Sequence, residues 1–250
     1  MTSKLAAPAS EVCASPHRGR TLALIPARAG SKRVVGKNHR LFAGKPLVRW
    51  SIDFALACPG FDRIVVSTDS PEVANIANQA GISTPWLRPP ELASDTATTL
   101  DVALHALGKC EEDGESFDRL AILQPTCPVR LHERWAQAHA MLDHPDCNAV
   151  IGVSAVEQHP FWTYFVDDKG QLTPCFPGKS QLRSQDLPTA AAINGALYLI
   201  RTDVLKSSAC FTPPGTHAVM CTHAHENIDI DTESDWLAAE RLISALPQLK

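Results

Sequence analysis

The sequence predicts an α/β fold built on a doubly wound, mostly parallel sheet. Two observations carry that prediction: short apolar runs recur along the chain, and the segments between them repeat their apolar residues with helical period. A third sets the scale. At 250 residues, 44% of them hydrophobic and 20% charged, the chain suffices for one such domain with a subsidiary lobe.

The first strand is Leu22-Ala23-Leu24-Ile25. Leu47, Trp50, Ser51 and Phe54 then recur with helical spacing up to the Pro59-Gly60 break, and Arg63-Ile64-Val65-Val66-Ser67 reads as a buried strand. The next helix is punctuated at both ends, by Ser70 as N-cap with Pro71 at its first position and by Gly81 after its last turn. Residues 98–107 form another helical segment, Arg119-Leu120-Ala121-Ile122-Leu123 a strand, and residues 131–142 a helix with Leu131, Trp135, Ala138 and Leu142 inward. Ala149-Val150-Ile151-Gly152-Val153 and Ala196-Leu197-Tyr198-Leu199-Ile200 are further strands. Between them, residues 157–190 turn rich in aromatics and turn formers and read as a hairpin-like insertion, whose aromatics suit a partner surface, most simply a second copy of the chain. The last helix turns Trp236, Ala239, Leu242, Ile243 and Leu246 inward.

Composition excludes several functions. A formal net charge of −4 argues against a nucleic-acid-binding or anionic-membrane surface. The eight cysteines contain no Cys-x-x-Cys pair, so they read as reduced thiols of a cytoplasmic protein, and neither a disulfide framework nor a zinc site is expected. His223 and His225, set on one side of a strand, lack further ligands and read as surface or packing residues. Residues 1–20 lack the apolar core of a signal peptide and read as a flexible arm before a domain spanning 21–250. No run approaches transmembrane length.

In a doubly wound sheet, ligands lie beyond the carboxyl ends of the strands. Directly after the first strand comes Pro26-Ala27-Arg28-Ala29-Gly30-Ser31-Lys32-Arg33-Val34-Val35-Gly36-Lys37-Asn38. Arg28, Lys32, Arg33 and Lys37 around two glycines make a phosphate-binding loop in outline. It is not a Walker A loop: five residues separate Gly30 from Gly36, and Asn38 stands where a hydroxyl is needed. Ser67-Thr68-Asp69 and Gln124-Pro125-Thr126 follow the next strands at the same edge. Near the C-terminus, alternation in Ile228-Asp229-Ile230-Asp231 buries the isoleucines and sends both carboxylates to one face, about 7 Å apart if the segment is a strand. Such a pair can share one Mg2+ ion; equally, Asp231 or Thr232 can cap the following helix. A basic loop and paired carboxylates together suit nucleotidyl transfer, which needs metal at the α-phosphate and cations for departing pyrophosphate.

With both ends of the site in view, the chain resembles the cytidylyltransferases that activate nine-carbon sialic acids. The resemblance spans most of the chain, from about Leu22 to Ile243. It is carried by Ile-Pro-Ala-Arg-x-Gly-Ser-Lys-Arg at 25–33, Gly36-Lys37-Asn38, Phe61-Asp62-Arg63-Ile64-Val65-Val66-Ser67-Thr68-Asp69 and Leu87-Arg88-Pro89-Pro90-Glu91-Leu92-Ala93-Ser94-Asp95-Thr96. Leu123-Gln124-Pro125-Thr126, Ile193-Asn194-Gly195-Ala196 with Tyr198, and Ile228-Asp229-Ile230-Asp231-Thr232 complete it. The resemblance implies a homodimer of a Rossmann-like nucleotidyltransferase domain that uses CTP and magnesium, with the insertion at the dimer interface. It implies that Ala27, Arg28, Ser31, Lys32, Lys37 and Asn38 serve the nucleotide's phosphates and ribose, with Arg88 and Thr99 near the cytosine. Gln124, Asn194 and Tyr198 face the sugar acid in this reading, and Asp229 and Asp231 bind magnesium.

The sugar-facing region departs from the N-acetylneuraminate pattern. His159-Pro160-Phe161-Trp162 sets aromatics where Leu-Lys is frequent, Ala190-Ala191-Ala192 replaces an aromatic and basic run, and Arg183 stands without a paired arginine. A more apolar pocket, with Phe161, Trp162 and Arg183 facing substrate, suits a deoxygenated, N-acylated sugar such as legionaminic acid. The alternatives are another acidic sugar, pseudaminic acid or the eight-carbon Kdo, and a nucleotide-sensing module without catalysis, which the intact acidic pair disfavours.

Overall fold

A computed structural model describes residues 19–245. The expected arm lies almost wholly outside the described residues, as do Cys13 and Leu246. In chain order the elements are β1 (Thr21–Pro26), β2 (Leu41–Phe42), β3 (Lys45–Pro46), α1 (Leu47–Ala57), β4 (Arg63–Ser67), α2 (Pro71–Gln79), α3 (Thr99–Glu112) and β5 (Arg119–Ile122). They continue with α4 (His132–Leu142), β6 (Ala149–Ala155), β7 (Tyr164–Val166), β8 (Leu172–Pro174), β9 (Ala191–Arg201), α5 (Thr202–Ser208), β10 (Thr216–Met220) and α6 (Glu233–Ser244).

The main sheet has the order β10-β6-β9-β5-β1-β4. Strand alternation splits β1 between two cores, and this makes the fold doubly wound. Ala23 and Ile25 pack with Val48 and Ile52 of α1, Val73 of α2 and Trp135 of α4, whereas Leu22 and Leu24 pack with Val102 and Ala106 of α3 and Leu205 of α5. Helix α2 starts as its sequence predicts, with the Ser70 hydroxyl accepting from Val73 N at 3.2 Å and Pro71 at the first helical position.

The sheet is mixed. β1 runs parallel to β4 and β5, and β10 to β6, but β9 is antiparallel to both β5 and β6. The cause is the insertion: between β6 and β9 the chain makes the small antiparallel β7–β8 hairpin and no crossover helix, so it returns in the opposite direction. Strand β10, at the sheet edge, is read poorly from sequence because Thr216, His217 and Met220 are not fully buried.

A third core positions the site. Phe42, Leu47 and Trp50 pack with Ile228, Ile230, Trp236, Ala239 and Ile243, drawing α6 and the segment before it onto the basic loop. Phe42 meets Trp236 edge to face at 5.2 Å, and the Arg40 guanidinium lies 4.3 Å from the Trp236 ring centre. Residues 228–231 are not a strand, contrary to the sequence reading. They run alongside the main sheet, with Ile230 N donating to Thr126 O at 2.8 Å, yet the alternation survives because Ile228 and Ile230 are both buried. His223 and His225 likewise leave the expected strand: His223 caps a 3-10 turn that contains His225, with the two rings stacked at 5.2 Å. All seven described cysteines are free.

Candidate active site

A cavity of about 560 Å³ opens beyond the carboxyl ends of β1 and β5, where a sheet of this kind places its ligand. Its wall brings together Arg28, Ser31, Lys32, Lys37, Asn38, Arg88, Thr99, Gln124, Asp229 and Asp231. Ala27 is not on that wall: it is fully buried and its N–H is committed to Ser67 O at 2.9 Å.

Local chemistry shapes the basic loop. Gly36 adopts φ +63°, and a Cβ there would come within 2.6 Å of the His39 ring, so the turn that carries Lys37 requires glycine. Asn38 donates its side-chain N–H to Arg28 O at 2.9 Å and accepts Val48 N on its own carbonyl at 2.9 Å, locking the loop to α1. The cations then meet carboxylates from two sides. Arg28 and Lys32 pair with Asp95 at 3.1 and 2.5 Å, and Arg33 and Lys37 with Asp231 at 2.8 and 3.4 Å. Lys37, with its side chain only 11% exposed, also donates to Ile230 O at 2.8 Å. The other pairs are half-exposed and contribute little to stability, so exchanging a carboxylate for a phosphate costs little.

Arg88 is a buried part of this wall. Its guanidinium donates to Ser67 O at 2.6 Å and Ser67 Oγ at 3.1 Å, while its backbone N–H reaches Thr68 O. Burial pulls it down to about 10, so it remains a cation at neutral pH. Thr99 opens α3, held by the Thr98–Asp101 capping box.

A smaller annex of about 110 Å³ joins the cavity at Thr99 and Gln124 and is walled by Ile122, Tyr198 and Phe211. Tyr198 meets Phe211 edge-on at 5.8 Å, and burial raises the Tyr198 hydroxyl, keeping it a neutral donor and acceptor. Asn194 lines neither space; its amide donates to Asn227 Oδ1 at 3.1 Å, and its Oδ1 accepts Ala196 N. Cys127 lies beneath, its thiol 3.9 Å from Asp229 Oδ1 and pushed by burial up to about 11, too high for a nucleophile at neutral pH.

Phe161, Trp162 and Arg183 stand apart from both spaces of this chain. Phe161 packs on Phe176 at 5.4 Å, the Trp162 indole donates to Leu182 O, and Arg183 pairs with Asp186. The insertion exposes Phe165 (68%), Val166 (66%) and Leu172 (59%), an apolar face unusual for a hairpin in water.

At the acidic end, both roles weighed from the sequence coexist. Thr232 caps α6 through Asp235, and Asp229 and Asp231 project into the cavity. Among the described residues no cluster of three or more candidate metal ligands occurs. Two carboxylates facing a bed of cations nevertheless fit Mg2+, which takes one or two protein carboxylates and completes its shell with water and phosphate oxygens. Sequence reasoning missed Asp95 as a partner of the loop, although it lies within a quoted motif, and it missed Phe211, which comes from a loop after α5 with no pattern to mark it.

Residues 22–141 match the family model described as Cytidylyltransferase. The chain is 37% identical over 226 residues to CMP-N,N'-diacetyllegionaminic acid synthase of Legionella pneumophila, covering 90% of this chain and 96% of that protein. It is 32% identical to N-acylneuraminate cytidylyltransferase of Streptococcus agalactiae, over 86% of this chain but 51% of that longer protein. In fold it is similar to a CMP:2-keto-3-deoxy-manno-octonic acid synthetase solved with CTP, at TM-score 0.67 and 18% identity over 90% of this chain and 99% of that one.

Proposed function

The chain belongs to the cytidylyltransferase family and activates a nonulosonic sugar acid at the expense of CTP; from that premise we propose that its acceptor is a deoxygenated, N-acylated nine-carbon acid of the legionaminic type. The observation that carries the catalytic part is the cavity's opposed charge. Arg28, Lys32, Arg33 and Lys37 line it together with Asp229 and Asp231, and Asp231 already touches two of the cations.

In this reading Arg28, Lys32 and Lys37 take up the triphosphate and neutralise departing pyrophosphate, releasing Asp95 and Asp231 from their ion pairs. Arg88 and Thr99 face the cytosine, and Gln124 and Tyr198 orient the acceptor. Asp229 and Asp231 would hold Mg2+, which when bound would supply positive charge at the α-phosphate. The anomeric 2-hydroxyl attacks the α-phosphorus in line: a new O–P bond forms, the α–β P–O bond breaks, and the hydroxyl proton passes to solvent as pyrophosphate leaves. The walls contribute mainly alignment and charge, which suits a phosphoryl centre.

The protein works as a cytoplasmic homodimer in this proposal, with residues 157–190 crossing to close the partner's sugar pocket. The exposed Phe165, Val166 and Leu172 support that assembly, and the free cysteines support a reducing compartment. Among the described residues no helix is long and apolar enough to cross a membrane.

Pyrophosphate release from CTP, measured against legionaminate, N-acetylneuraminate, pseudaminate and Kdo, tests the acceptor. An apolar wall at Phe161 and Trp162 leaves a substrate hydroxyl unpaired, a discrimination of about 1–3 kcal/mol. Wild type is expected to prefer legionaminate in kcat/KM, and Trp162→Lys to narrow its margin over N-acetylneuraminate. Preference for any other acid removes the acceptor assignment and leaves the transferase standing.

A further inference from the structure

Arg130 sits between β5 and α4, is 8% exposed, and lines neither the cavity nor its annex. Its guanidinium spends its three nitrogens on three separate elements. Nε donates to Ala196 O of β9 at 3.2 Å, Nη1 to Ser51 Oγ of α1 at 3.1 Å, and Nη2 to Gln124 O just beyond β5 at 2.5 Å. Among the described residues no carboxylate pairs with it; the ionisable group beside it is the Cys127 thiol, and the Phe54 ring centre lies 5.9 Å away. A buried cation without a counter-charge is costly, so its geometry calls for a reason beyond packing.

The sheet supplies one. The β5–β9 ladder ends at Ile122↔Tyr198, and the β6–β9 ladder is irregular between Ile151 and Val153. Gln124 therefore lies past the end of the β5–β9 ladder and Ala196 within the interruption of the β6–β9 ladder, and the guanidinium provides donors for their carbonyls. The gap is tightly built. Gly195 has φ +78°, and a Cβ on it would meet Gln124 Oε1 at 3.0 Å and Cys127 Sγ at 2.8 Å, so the Gln124 side chain rests directly on the Asn194–Ala196 turn.

We propose that Arg130 is a positioning residue for the sugar acceptor, setting the spacing between Gln124 and the strand that carries Tyr198 without touching either substrate. The proposal rests on the acceptor side assigned under the proposed function. The planar fork matters as well as the charge: a lysine ammonium is a compact donor that cannot span the same three acceptors. Arg130 bonds none of the residues assigned to CTP, neither the cations of the basic loop nor Arg88 and Thr99, so the two substrates should respond differently.

The test is steady-state kinetics of the full chain with the best nonulosonic acid and CTP, on wild type, Arg130→Lys and Ser51→Ala, with melting temperatures recorded alongside. Arg130→Lys should raise the sugar KM by about tenfold or more and leave the CTP KM within about twofold. Ser51→Ala, which removes one acceptor only, should raise the sugar KM by about two- to fivefold with the same asymmetry. A purely structural arginine would lower the melting temperature while leaving both KM values of the folded enzyme alone, and that result, or equal rises for both substrates, overturns the proposal. If Arg130→Lys does not fold, Ser51→Ala decides by the same criterion. Wild type that turns over no sugar acid would remove the acceptor reading and this inference with it, whereas an active wild type with unsplit variants removes the inference alone.

Discussion

The walls proposed above to face the phosphates and the sugar are built on different physics. The first is one contiguous stretch, residues 28–37, whose cations pair with Asp95 and Asp231, all but the mostly buried Lys37 in half-exposed ion pairs. The second is gathered from Gln124, Tyr198 and Phe211, distant in sequence, and is set by buried hydrogen bonds and close backbone approach around Gly195. A wall of exposed ion pairs exchanges partners readily, because each pair is worth little in water. A wall built from buried polar groups holds its shape, because leaving any one of them unpaired costs the full desolvation penalty. The contrast suits the two ligands: a triphosphate brings charge to replace Asp95 and Asp231, whereas a sugar acid must be matched by shape and hydrogen bonds already in place.

The most severe way to break this contrast is at the acidic pair. Asp231→Asn or Asp229→Asn should each lower turnover by about a hundredfold or more, since metal charge acts on the transition state, while the fold, read by far-ultraviolet circular dichroism, stays intact. A folded variant of either kind with normal turnover would remove both residues from the metal site.

A milder change sharpens it. Arg28→Ala should raise the CTP KM by about tenfold or more and leave the sugar KM nearly unchanged, the mirror image of the split expected at Arg130. Lys109→Ala is the control, because among the described residues it pairs only with Glu112, at the surface of α3. If the two substitutions alter CTP use equally, the loop is an ordinary surface turn.

The smallest expected effect concerns the helix that anchors Asp231. Thr232→Ala removes the cap of α6 and should cost about 1 kcal/mol in urea unfolding. Hydrogen bonds from the Thr232 hydroxyl and backbone hold the Asp235 carboxyl below its ordinary value of 3.8. Because the folded value is the lower one, the Asp235 contribution is present above pH 3.8 and is lost as the pH falls below it through the folded value. The stability difference between wild type and Thr232→Ala should therefore be constant near neutrality and shrink only in acid; a difference that shrinks between pH 6 and 8 would point to another group.

The same contrast explains what the sequence reveals. The basic loop is legible because its cations and glycines are neighbours along the chain, and α2 is legible because Ser70, Pro71 and Gly81 mark its ends locally. Asp229 and Asp231 can be placed because alternation survives in any extended segment, even though Ile228 to Asp231 join no sheet. Direction is harder to see. Nothing within residues 191–201 marks β9 as antiparallel; that follows from the missing crossover helix upstream. The pairing of Asp95 with Arg28 and Lys32, the entry of Phe211 beside Tyr198 and the span of Arg130 all depend on tertiary closure, which leaves no periodic trace in the chain.

Following the label from CTP tests the central claim most directly. With CTP labelled at the α-phosphate, Mg2+ and a nonulosonic acid, the label should appear in a CMP-sugar; with the γ-phosphate labelled, it should appear in pyrophosphate; and omission of either metal or sugar should leave both in CTP. Label released as free CMP at the same rate without sugar, or γ-label transferred to the sugar, would contradict the assignment of the cavity to cytidylyl transfer.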